Sequence, residues 1–122
     1  MIRTELQQQR RDVAAQILER VRAQAVGAVN KASAAGVEEA KAVIVREGRV
    51  KSGTMRDGNK VRLAGPTPGG AAGGFYNDVP YAIYHELGTR RIRAIRFLEI
   101  GAKAAAKRLK TELVKIIRGE AE

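Results

Sequence analysis

The chain has 122 residues, 23 basic and 13 acidic, with no cysteine, no tryptophan, two phenylalanines and three tyrosines. The length fits one domain, the missing cysteines exclude disulfides, thiol catalysis and Cys-based zinc sites, and an alanine-rich apolar fraction implies a thin core that leans on neighbouring subunits. The formal charge of +10 favours polyanionic partners, whether nucleic acid, an acidic membrane surface or an acidic protein face.

Residues 4–47 read as helix, because good helix formers dominate and no proline interrupts them. Leu6, Val13, Ile17, Val21 and Ala28 fall on one stripe, and Val29, Ser33, Val37, Ala40 and Ile44 on a second, roughly opposite one. The phase changes between Gly27 and Gly36, so either the helix kinks there or one long helix shows two faces to two neighbours. Gly48 suits the left-handed residue that closes a helix. Residues 51–58 follow as a turn in which Ser52 starts one short helical turn. Lys60 to Ala64 alternates polar and apolar as a half-buried strand does.

Residues 65–74, Gly-Pro-Thr-Pro-Gly-Gly-Ala-Ala-Gly-Gly, are expected to form a mobile loop, since ordering so many glycines is costly. Phe75-Tyr76-Asn77 would be the second strand of a small antiparallel sheet. Pro80 to Leu87 reads as a short helix capped by Asp78 and ended by Gly88. The final, amphipathic helix is expected over 95–118, burying Leu98, Ala102, Ala105, Leu109, Leu113 and Ile116. A weaker stripe of Ile100, Ala104 and Val114 runs among its lysines and arginines. The fold class is therefore α+β, one domain over 1–122. The N-terminus opens on charged and polar residues, with no apolar run long enough for a signal peptide or a membrane span, which points to the cytoplasm.

Catalytic constellations are hard to assemble from these residues. His85-Glu86-Leu87-Gly88-Thr89 begins like a zinc-protease helix but lacks the second histidine, and His85 is the chain's only one. Ser33 and Ser52 have no histidine nearby in sequence. Asp57, Asp78 and Glu86 show no spacing that suggests paired acid and base, and the glycine pairs lack the Gly-Lys-Ser/Thr ending of a phosphate loop. No enzyme, metal or cofactor is expected.

The charge is concentrated late: residues 89–122 hold ten basic groups and four acidic ones. Arg90, Arg91, Arg93 and Arg96, with Lys103 and Lys107 behind them, suit acidic faces of partner subunits, which arginine's planar fork grips bidentately, or nucleic-acid phosphates without sequence preference. Glu86 is near enough in sequence to pair with one of the arginines.

Tyr81, Ala82, Glu86, Gly88 and Thr89 together spell Tyr-Ala-x-x-x-Glu-x-Gly-Thr. About thirty residues earlier stands Ser52-Gly53-Thr54-Met55-Arg56, and after it Arg96-Phe97-Leu98 leads into a long helix. This order resembles the small neck and tail-completion proteins of long-tailed phages, over roughly residues 40–118. There the earlier turn reads Thr-Gly-x-Leu-Arg and the later one Pro-Phe-Leu, so Ser52, Met55 and Arg96 depart from the pattern. The resemblance implies a non-enzymatic virion protein: helices on a small sheet, assembled as a homo-oligomeric ring around the DNA channel at the head-to-tail junction. Its implied partners are head connector or closure proteins on one rim and tail terminator or tail tube proteins on the other, with non-specific contact to packaged DNA. It implies assembly in the host cytoplasm and no membrane role. Tyr81, Ala82, Tyr84, Glu86, Gly88, Thr89, Ser52, Gly53, Arg56 and Phe97 are then the motif or subunit-interface positions. The ring seam would use the second helix stripe and the Ile100-Ala104-Val114 face. The competing reading is a basic architectural nucleic-acid-binding protein. An amphipathic membrane-active protein is weaker, because the apolar face of the last helix is rich in small alanines.

Overall fold

A computed structural model describes residues 2–68 and 70–120, the side chains of residues 2 and 3 excepted. The fold is α+β: α1 (Ile2–Arg46), α2 (Thr54–Asp57), β1 (Asn59–Thr67), β2 (Gly70–Asn77), α3 (Ala82–Leu87) and α4 (Phe97–Ile117). The two strands form an antiparallel hairpin that lies on α1, which also packs along α4.

The N-terminal helix runs without a break through both Gly27 and Gly36, 45 residues or about 68 Å at 1.5 Å per residue. It closes where expected, with Gly48 at φ +70° and the paired bonds Gly48 N to Val45 O and Arg49 N to Ile44 O that define a Schellman end. The two stripes have different fates. Val37, Ala40, Val43 and Ile44 are buried, and with Met55, Ala82, Ile95 and Phe97 they make the core, flanked by Phe75, Val79, Leu98 and Ile100. Leu6, Val13, Ile17 and Val21 stay exposed, as does Leu18 beside them. The second stripe is thus internal to the chain and unavailable to a ring seam; of the first, Ala28 is buried and only the part from Leu6 to Val21 remains unpartnered.

Packing against α1 stops near Arg22, whose guanidinium donates to the carbonyl of Pro68 at the hairpin turn, 3.3 Å away. Further along, Asn30 Oδ1 accepts from the backbone N–H of Ala64 at 2.8 Å. That N–H lies in a β-bulge, where Leu63 and Ala64 stand opposite Gly73 between the pairs Arg62↔Gly74 and Gly65↔Ala72. A Cβ on Gly73 would sit 2.8 Å from Ala64 Cα, so this strand position requires glycine. The expectation of a mobile loop over 65–74 is therefore corrected, with Gly69 lying outside the described residues. Strand pairing, the α1 amide and the small side chains that let backbones approach hold the segment in a ladder. Pro66 is tolerated because neither strand has a further neighbour in the sheet.

Phe75 of β2 covers the point where α1 and α4 meet. A Cβ on Gly36 would lie 2.5 Å from the Phe75 ring, and one on Gly101 would lie 2.7 Å from the carbonyl oxygen of Gly36 and 2.9 Å from the ring. These two glycines are contact points between helices, not breaks in them. The crossing also fixes which positions of α4 are buried: Phe97, Gly101 and Glu112. Of the face read from the sequence, Leu98, Ala105, Leu109 and Ile116 are half-buried, whereas Ala102 and Leu113 are exposed. Ile100 packs against the core, which accounts for its place in the weaker stripe.

Glu112 is 3% exposed, yet it is surrounded by charge: Arg108 at 2.9 Å and Lys115 at 3.5 Å on its own helix, Lys31 of α1 at 3.7 Å. Hydrogen bonding from Arg108, then the charges of Lys115 and Lys31, hold its carboxyl below the usual value. A depressed carboxyl stabilises the fold above its unfolded pKa, and that contribution is lost as pH falls through the folded one. Glu112→Gln should therefore have a flatter stability profile than the wild type below about pH 4.5, where unfolded glutamates begin to protonate. Urea titrations at stepped pH would measure it. In the helix contact, Gly101→Ala should lower stability by about 1–3 kcal/mol through overpacking against the Gly36 carbonyl. Gly27→Ala, with no atom within 4 Å of the new methyl, should raise it by about 1 kcal/mol.

Candidate functional site

The two motif segments come together on one side of the core. Gly53 opens α2 at φ +83°, and Asp57 N and Gly58 N close back onto the carbonyls of Gly53 and Thr54. Asn59 and Asn77, opposite one another in the hairpin, donate to the carbonyls of Arg56 and Met55 and so fasten α2 to the base of the sheet. Arg56 pairs with Asp57 at 2.9 Å. Asp78 does not cap α3; it bonds Lys60 across the hairpin at 2.6 Å, and α3 starts at Tyr81 without a side-chain cap.

Four of the motif positions between Tyr81 and Thr89 have an identifiable task. Ala82 is in the core. Glu86 does not pair with an arginine. Its carboxylate accepts the backbone N–H groups of Leu98 at 2.8 Å and Glu99 at 3.1 Å, capping α4 from twelve residues upstream. The residue in the cap position of α4, Arg96, is in the left-handed region at φ 50° and makes no side-chain capping bond to the helix backbone. Proline, locked near φ −65°, cannot adopt that conformation, so the Arg96 departure from Pro-Phe-Leu brings a different lead-in to the helix. Gly88 stands at φ +81°, where a Cβ would meet Ala94 N at 2.9 Å. Thr89 Oγ1 accepts from Arg91 N and Ile92 N, while Thr89 N donates to Ile92 O. Phe97, fully buried, belongs to the core and not to a subunit interface.

Between these segments lies a groove of about 750 Å³, lined among others by Arg49, Lys51, Ser52, Tyr81, Tyr84, His85, Arg91, Ile92 and Arg93. No acidic residue lines it. Two of its cations are structural. Arg49 donates to His85 Nδ1 at 2.8 Å and to the Arg93 carbonyl at 3.0 Å, and Arg93 is bonded to Glu47. Since a guanidinium only donates, Nδ1 of His85 is the unprotonated nitrogen; burial, then Arg49 and Lys51, hold the ring's pKa below its usual value. Lys51 and Arg91 have no side-chain partner among the described residues, and Tyr81 and Tyr84 are exposed. The arrangement presents two free cations, two phenols and the apolar edge of Ile92. It suits an anionic, partly apolar ligand.

The basic residues expected to contact partners therefore divide. Arg93 and Arg96 are committed to Glu47 and Glu99, whereas Arg90, Arg91, Lys103 and Lys107 are without an acidic partner among the described residues. Lys51, Arg49 and the hairpin-supporting Asn30 and Asn59 escaped the sequence reading, because each derives its role from a contact distant along the chain. Among the described residues no three His, Asp or Glu side chains gather as a metal site, and no helix is long and apolar enough to cross a membrane. Comparisons with protein-family models, curated proteins and solved structures return no match.

Glu86→Ala should cost about 1–2 kcal/mol, the usual effect of losing a helix cap. Glu86→Gln, which keeps an acceptor oxygen, should recover part of it. Chemical denaturation of the three proteins checks both.

Proposed function

We propose that the chain is a structural virion subunit that forms a ring at the head-to-tail junction of a long-tailed phage, in the neck or at tail completion, around the DNA channel. The observation that carries this reading is the unpartnered half of α1. Leu6, Val13, Ile17 and Val21 repeat on one face over four turns, each 43% or more exposed, beyond the point where the hairpin ends. A subunit with so much apolar side chain outside its own core is suited to completing its packing in an assembly. The motif resemblance supplies the kind of assembly, and the task of such a ring is geometric: one rim fits the head connector, the other the tail.

A nucleic-acid-binding role has its own support in the four cations Arg90, Arg91, Lys103 and Lys107 that lack acidic partners. Both readings are decided on the purified protein. Light scattering and negative-stain images should show closed rings with a central hole, and Leu6→Glu with Ile17→Glu should abolish them without unfolding the core. A wild-type monomer that binds duplex DNA at about 50 mM salt and releases it steeply as salt rises would favour the nucleic-acid reading instead.

A further inference from the structure

We infer that the groove beside α3 receives the end of α4 from a second copy of the chain, residues 117–120. This rests on the ring reading and specifies its seam. Ile117 is the most exposed large apolar side chain described, at 84%. Immediately after it α4 closes through Gly119 at φ +73°, with Gly119 N bonded to Ile116 O and Glu120 N to Lys115 O. The chain thus turns off the helix axis carrying an apolar residue, then Glu120; Glu122 follows in the sequence, outside the described residues.

The charges are complementary. Most acidic side chains among the described residues are already used: Glu38, Glu39, Glu47, Asp57, Asp78, Glu99 and Glu112 in ion pairs, Glu86 in its cap and Asp12 with Gln8. Glu5, Glu19 and Glu120 have no such partner among the described residues. The first two are held within the long helix, and only Glu120 lies beyond a helix end, where a few residues can extend into a groove of about 750 Å³. That volume is in the range of sites for small ligands. Ile117 would pack on Tyr81 and Tyr84, and Glu120 would meet Arg91 and Lys51. Because the groove and the α4 end are different surfaces, the contact is head to tail, the kind that closes into rings.

Two variants test this: Lys51→Glu with Arg91→Glu in the groove, and Glu120→Lys in the tail. All the altered groups are on the surface, and circular dichroism melts should match the wild type. Sedimentation should show self-association weakened at least tenfold in each variant alone. Mixed, the two should assemble again, because the acidic tail of the groove variant fits the basic groove of the tail variant, and the reversed tail, now basic, meets the reversed groove, now acidic. Wild-type assembly in either variant would overturn the seam while leaving the ring reading in place. A wild type that stays monomeric would overturn both. Loss of duplex binding in the groove variant, with assembly intact, would assign the groove to nucleic acid instead.

Discussion

The fold depends on the close approach of α1 and α4 at Gly36 and Gly101. With no side chain at either position, a helix carbonyl and a helix Cα can come within the distance a methyl group would occupy, and the Phe75 ring covers both. The contact joins all three layers, since Phe75 belongs to the hairpin. It brings Phe97 into the cluster of Val43, Ile44 and Met55. A core so poor in large side chains gains much of its dispersion energy from short distances, which is the use to which small residues are put when helices must pack tightly.

Much of this was legible in periodicity and punctuation. The two long helices, the closing role of Gly48, the short helix before Gly88 and the hairpin's flanks follow from local rules. The hairpin's middle does not. Its glycines read as disorder because their intrinsic preference is for freedom, and only the partner positions, Ala64 across the bulge and Asn30 on the helix, make them strand residues. The same limit applies to Gly36, which counts as a helix breaker until Gly101, 65 positions later, is placed against it. The face of α4 was legible only in part for this reason too: Leu98, Ala105, Leu109 and Ile116 turn inward as hydrophobicity suggests, but in place of Leu113 the geometry buries a glycine and a glutamate.

Glu86 illustrates how a motif encodes shape. A carboxylate next to an arginine-rich run invites an ion-pair reading, yet its acceptor capacity goes to two backbone amides at the start of α4. With Gly88 and Thr89 it dictates the path of the intervening loop, and that path is what carries Arg91 to the groove. The positive charge of the chain accordingly serves two ends. Part of it is internal mortar, binding Glu47, Glu99 and Glu112; part is left outward, arranged by the loop and by α4.

The half-packed first helix gives this small protein two stabilities. Nucleation, the costly step of helix formation, is already met by the segment beyond Arg22 that is clamped under the hairpin and α4. The outer turns are then an extension of an existing helix, gained or lost one at a time at little cost, with no share in the cooperative unfolding of the core. Amide protection should fall off gradually towards the free end and change abruptly only when another surface covers it. Order in those turns is therefore a gauge, readable residue by residue in a spectrometer, of whether another surface covers them.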